Sequence, residues 1–147
     1  MAYGFQNYEK DHMARAISHS VAISTRHSVA IANYLRGQRL QRAKRLMERA
    51  IDFAQPVPFT RFDRGMGHKA GMAAGSYPIN ASKAFLTLLK GAEANAQAKG
   101  LNTGTLTIVH IQANKVGNRQ HGGRHGRKMK RTNIEVIVAE GSKEESQ

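Results

Sequence analysis

LTIVHIQANKVGNRQHGGRHGRKMKRTNIEVIV, residues 106–138, holds two apolar runs separated by a segment that no hydrophobic core could accept. Leu106, Ile108 and the interleaved Val109 and Ile111 make the first run, and Ile134, Val136 and Val138 make the second. Their period of two is that of strands. Between them, Lys115 to Arg131 carries seven Lys or Arg, two His, four Gly and no acid. So little apolar surface and so much like charge cannot offset the entropy of ordering in water. The runs therefore read as antiparallel neighbours joined by a long basic β-hairpin extension, 115–131, expected to move freely until an anion holds it.

Upstream the period changes to that of helices. Ala81, Ala84, Phe85, Leu88, Ala92 and Ala96 form a stripe that ends at Gly100, with Asn80 as the expected cap after Pro78. Leu40, Ala43, Met47, Ala50, Ile51 and Ala54 form another, which Pro56 and Pro58 must stop. A shorter one, Ser28, Ile31, Ala32 and Leu35, opens at Ser24 as N-cap and closes at Gly37. Before it, Ser18 to Ile23 (SHSVAI) alternates weakly and reads as a short strand. The fold class is α+β: three helices packed on a small antiparallel sheet, with the basic hairpin extending from it. At 147 residues, the whole chain, 1–147, is expected to be a single domain. The stretch 55–77 is rich in Gly and Pro, too long for an ordinary connection and too basic for a packed element, and reads as an insertion. The tail EGSKEESQ, Glu140 to Gln147, is expected to be a solvated end.

Charge narrows the function. Lys and Arg number 23 against 10 Asp and Glu, a net charge of +13 that repels itself unless a polyanion neutralises it. A membrane surface is disfavoured, because there is no Trp, no apolar face opposite the basic residues and no apolar run of spanning length. The opening MAYGFQNYEK has the character of neither a secretory signal nor a transit peptide, so the protein is expected to stay where it is made. The chain has no cysteine, which removes disulfides, thiolate metal sites and thiol nucleophiles.

Catalytic and metal chemistry find little footing. His121 and His125 have the spacing of a helical metal pair, but Gly122, Gly123 and Gly126 argue against a helix there. Gly65, Gly67 and Gly71 are spaced GxGxxxG, with no strong strand before them and no Gly-Lys-Ser/Thr after, so a nucleotide loop is not expected. Asp63 and Glu93 are the only acids between Phe53 and Ile134, too few for a paired acid and base. His110 reads as a satisfied core or edge residue. No catalytic residue, metal site or cofactor is expected.

What remains is RNA binding. The candidates are Lys115, Arg119, His121, Arg124, His125, Arg127, Lys128, Lys130 and Arg131 in the hairpin, and Arg61, Arg64, His68 and Lys69 in the insertion. Arg42, Arg45 and Arg49 add a face of the second helix, with Arg39 and Lys44 beside them. Arginine offers a planar fork to phosphate oxygens, glycine lets backbone approach the polymer, and an extension can thread between RNA helices. A free-standing nucleic-acid chaperone fits the same charge pattern, and an RNA-acting enzyme would need a cleft with an acid and a base.

Several pieces carry a family resemblance: Met13-Ala14-Arg15-Ala16; Ile23 to His27 leading into Leu35-Arg36-Gly37; and Pro56-Val57-Pro58-Phe59 with Arg61 and Arg64-Gly65-Met66-Gly67. Tyr77-Pro78, Ala92-Glu93-Ala94-Asn95-Ala96, Lys99-Gly100-Leu101 and His110 to Lys115 follow in the same order. Over nearly its whole length the chain resembles the large-subunit ribosomal proteins numbered twenty-two in bacteria and seventeen in eukaryotes. The PVPF segment and its Gly-rich sequel are similar to the archaeal and eukaryotic branch.

The resemblance implies a small α+β domain on the outer face of the large subunit, with the hairpin crossing the RNA to line the nascent-peptide exit tunnel. It implies Arg15 as a further RNA contact and Gln120, His121, Gly122, Gly123, Arg124 and His125 as tunnel-lining residues. Arg124-His125-Gly126-Arg127 is similar to the family's Arg-Ala-x-Gly-Arg segment near the tip, with a residue fewer. The hairpin is shorter than is usual for the family, and an acidic stub replaces the basic tail of eukaryotic members. The implied partners are large-subunit ribosomal RNA and neighbouring ribosomal proteins in the cytoplasm, with no membrane and no homo-oligomer.

Overall fold

A computed structural model describes residues 4–141; residues 142–147, most of the acidic tail, lie outside the described residues. The sheet is built around β8 (Thr132–Glu140), which pairs antiparallel with β1 (Met13–Val21) on one side and β5 (Leu106–Lys115) on the other. Ile134 to Val138 are all buried, as befits a middle strand covered on both faces. In β5 the register shifts between Ile108 and His110. This bulge moves the phase by one residue, so that Leu106, Ile108 and Ile111 are buried while Val109 is 41% exposed.

The strand before the first helix lies earlier than Ser18–Ile23. Its inward residues are the small Ala14 and Ala16, which carry a weak apolar signal, and pairing to β8 from Met13↔Ala139 to Ser18↔Ile134 makes it a strand. A second register shift and a left-handed Ser20 (φ +51) end the pairing before Ile23, which is buried in the turn.

Helix α1 (Thr25–Leu35) buries Ser28, Ile31, Ala32 and Leu35, the stripe read from the sequence. Ser24 stands at the N-cap position, but its side chain makes no cap bond. After left-handed Gly37 the chain closes the outer edge of β5: Gly37 N–H donates to the Ile108 carbonyl (3.1 Å) and Ile108 N–H to that of Gln38 (3.0 Å). Helix α2 (Leu40–Ile51) buries Leu40, Ala43, Leu46, Met47 and Ala50. It stops short of Ala54, because left-handed Phe53 (φ +59) turns the chain and the Ala54 N–H closes on the Arg49 carbonyl at 2.9 Å. Helix α3 (Ile79–Ala98) buries Ala81, Phe85, Leu88, Leu89, Ala92 and Ala96. Its N-cap position is Pro78, not Asn80, which lies exposed in the first turn: with φ already fixed, the proline starts the helix two residues earlier.

The insertion 55–77 is not a bare basic loop. Three short strands, β2 (Val57–Pro58), β3 (His68–Lys69) and β4 (Ala73–Ser76), form a small sheet in the order β2-β4-β3. Val57 and Phe59 alternate with the prolines and reach the core, while Arg61 and Arg64 sit exposed on the arm that follows. Gly75 is required where the strands meet, since a Cβ there would stand 2.8 Å from Lys69 Cγ and 2.9 Å from Met72 Sδ.

Side chains finish what the ladders leave open. On the edge of β1, Asn95 Nδ2 donates to the Arg15 carbonyl (2.9 Å) and Lys99 Nζ to that of Met13 (2.8 Å), which blocks further strand addition. On the second face of the sheet the chain's lead-in lies over Glu135: Gly4 N–H donates to its carboxylate at 3.1 Å, and His110 pairs with the same oxygen at 3.0 Å. His110 is thus the satisfied residue its strand position suggested.

Between α2 and α3, Lys44 Nζ and Gln41 Nε2 converge on Glu93 at 2.8 and 2.7 Å. The Lys44 hydrogen bond, against the opposing effect of burial and with help from Gln41, holds the Glu93 carboxyl below its ordinary range. The pair's contribution is therefore complete above the range of an unfolded carboxylate and is lost on acidification as pH falls through the depressed folded value. Glu93→Gln should cost about 1 kcal/mol or less near neutral pH and remove that acid-side loss. Urea titrations of both proteins at several pH values read the effect as a gap that closes in acid.

Candidate nucleic-acid interface

The extension is built by carrying the β5–β8 ladder outward. Lys115 pairs with Thr132, the Val116 N–H donates to the Arg131 carbonyl (3.1 Å), and beyond them β6 (Arg119–His121) pairs with β7 (Arg127–Met129). Every residue from Gly117 to Lys130 is exposed. Cross-strand partners share a face, so Arg119, His121, Arg127 and Met129 point to one side and Gln120 and Lys128 to the other. His121 lies opposite Arg127, and no carboxylate occurs on the finger to offset its Lys and Arg. The tip turns through Gly123 (φ +139) and Gly126 (φ +45), conformations open to glycine, with the Gly126 N–H on the Gly123 carbonyl at 3.1 Å.

At the root, cations and ties mix. Arg131 is half-buried and donates Nη1 to the Ser20 carbonyl (3.1 Å), so its guanidinium helps hold the finger to β1. Thr132 Oγ1 donates to the Ile23 carbonyl (3.0 Å) and lies 2.8 Å from Thr25 Oγ1. His27 on α1 stands edge-on to Phe59, ring centres 5.6 Å apart. Burial, and secondly the charge of Lys130, lower its pKa.

The remaining sequence candidates separate into groups. Arg42, Arg45 and Arg49 are exposed along the solvent face of α2, whereas Lys44 is turned away and paired with Glu93. Arg39 is exposed at the start of α2, beside a bridge to Thr107. In the insertion, Arg61 and Arg64 are exposed, and Arg61 packs on the Phe62 ring at 5.6 Å with Arg26 of α1 on the same ring at 5.9 Å. His68 is exposed, but Lys69 is half-buried against Gly75 with its ammonium over Tyr77 at 5.3 Å. Arg15 is exposed on β1 with its guanidinium 4.8 Å from the Tyr8 ring. Sequence reasoning did not single out Arg26, which belongs to the Ile23–His27 piece but sits on a helix with no visible basic stripe.

Among the described residues, no group of three or more His, Asp or Glu is placed to hold a metal ion, and no helix is long and apolar enough to cross a membrane. The arrangement offers dispersed cations and an acid-free finger, suited to a large, irregular polyanion.

The model of the ribosomal protein L22p/L17e family matches residues 16–139. A Thermoplasma acidophilum protein is 41% identical over 88% of this chain and 89% of its own length. Relatives from Methanoregula boonei and Haloarcula marismortui are 36% and 38% identical, each covering 90% of this chain, with 92% and 91% of their own lengths matched. All three are named large ribosomal subunit protein uL22. These archaeal relatives agree with the branch read from the PVPF segment. With its three helices, its finger and nearly all of its sheet inside the matched span, the chain belongs to the ribosomal protein L22p/L17e family.

Proposed function

We propose that this protein is a structural constituent of the large subunit of the cytoplasmic ribosome. It binds ribosomal RNA without catalysis, and its finger, through Gln120 to His125, helps line the nascent-peptide exit tunnel. Ribosomal RNA and neighbouring ribosomal proteins are its partners, with no membrane and no second copy of itself. The observation that carries this reading is the finger: exposed from Gly117 to Lys130, without one carboxylate, in a chain of net charge +13. A segment of that kind gains nothing from its own domain and much from phosphates on several sides.

Two measurements bear on it. Stable co-sedimentation with large subunits in moderate salt is the expected result, and a chain that stays at the top of the gradient would favour a free-standing chaperone. If the finger and the α2 face neutralise six or more phosphates, affinity for ribosomal RNA should fall about 10³-fold or more between about 50 and 200 mM salt. A flat salt dependence would point to protein partners.

A further inference from the structure

Two clefts meet at the root of the finger. The first, of about 420 Å³, is lined by Ser24, Thr25, Arg26, Lys115, Asn118 and Lys130. The second, of about 470 Å³, shares Ser24 and Lys130 and reaches Ile79, Asn80 and Ala81 in the first turn of α3. Three cations line the first cleft, and no carboxylate lines either. Asp63 lies in a separate groove, which Arg26 also lines.

Helix starts make the deficit of negative charge larger. Neither α1 nor α3 has a side-chain cap or an acidic residue in its first turn, so the amides that a cap would satisfy are left for solvent or a ligand. The three cations also come from separate parts of the chain: Lys115 and Lys130 from the two legs of the finger, Arg26 from the body. Like charges gathered from different elements into one concave site are unfavourable unless an anion sits among them.

We propose that this cleft is a fixed seat for one backbone phosphate of a polynucleotide, held by Arg26, Lys115 and Lys130 against the first turn of α1. The assignment rests on the RNA-binding reading above and deepens it, because it turns a diffuse basic surface into a site with a named ligand. Its consequence is mechanical. A phosphate bound to both legs and to the body sets the direction in which the finger leaves the domain, reinforcing the Thr25–Thr132 contact.

The test uses the full-length chain, observed by amide NMR and titrated with inorganic phosphate, with a short oligouridylate, and with polyglutamate. The seat predicts saturable shifts at Thr25, Arg26 and His27 with phosphate and with the oligomer, and weaker oligomer effects at those amides once phosphate is present. Arg26→Gln and Lys130→Gln, both exposed and outside the core, should each weaken the oligomer's affinity at these amides about tenfold. Lys83→Gln, on the solvent face of α3, should not. As a second readout, the His27 pKa should rise when the seat fills, since an anion offsets the Lys130 charge.

Shifts that never saturate, or that spread equally over all exposed cations, would overturn the seat. So would oligomer shifts confined to 117–130, or polyglutamate binding as tightly as the oligomer. None of these outcomes touches ribosomal membership, which is read separately by co-sedimentation of the unaltered chain.

Discussion

Replacing Arg124, Arg127 and Lys128 together by glutamate is expected to abolish stable docking to large-subunit RNA while leaving the thermal midpoint of the free protein within a few degrees. The three side chains belong to the finger tip and β7, where every residue is exposed, and none of them is part of the core. Exposed substitutions of this kind usually change stability by less than about 0.5 kcal/mol each. Here they also relieve self-repulsion, since Lys115 to Arg131 holds seven Lys or Arg and no acid. Binding should respond in the opposite way. Each charge-assisted contact with phosphate is worth about 1.5–3 kcal/mol, so losing three lowers affinity by about three to six orders of magnitude, and the reversed charges add repulsion. The check is paired: calorimetry or circular dichroism on the free variant, and its co-sedimentation with subunits. A large fall in the midpoint would mean that the finger belongs to the fold and that its charges are not reserved for a partner.

The architecture was legible where one physical pattern dominated. The alternation in 106–111 and 134–138, with an acid-free segment between, led directly to the β5–β8 pair and its outward continuation. The stripe of α3 was equally plain, because Phe85, Leu88, Ala92 and Ala96 recur at the helical period. Where small residues do the burying, the signal fails: Ala14 and Ala16 are too small to mark β1, which takes its identity from pairing with β8. Local pattern also cannot show a bulge, so Val109 looked equivalent to Ile111 until the register placed it outside. In the insertion, the density of Arg and Lys masked Val57 and Phe59, two core residues framed by prolines.

The candidate interface divides along similar lines. Charge is written in the sequence, but the partner of each charge is not. Lys44 looked like a member of the α2 basic face and is instead bonded to Glu93, 49 positions away in the chain and one helix away in space. Arg131 and Lys69 are likewise partly engaged, one with the Ser20 carbonyl and the other over Tyr77. Conversely, Arg26 gains its significance only from the neighbours that folding supplies, Lys115 and Lys130.

The finger's own ladder is short: β6 and β7 are two strands with no third strand and no buried side chain. A two-stranded hairpin standing in water is marginally stable at best, and this one carries uncompensated charge. Amide hydrogen exchange at 117–130, compared between the free protein and the assembled large subunit, reads this point without altering the sequence. The expected result is near-unprotected exchange in the free chain, with β8 amides as the slow internal reference, and slowing by about a hundredfold or more in the particle. Finger amides that are as well protected as β8 in the free protein, or that stay unprotected in the particle, would contradict the view that phosphates hold the finger in place.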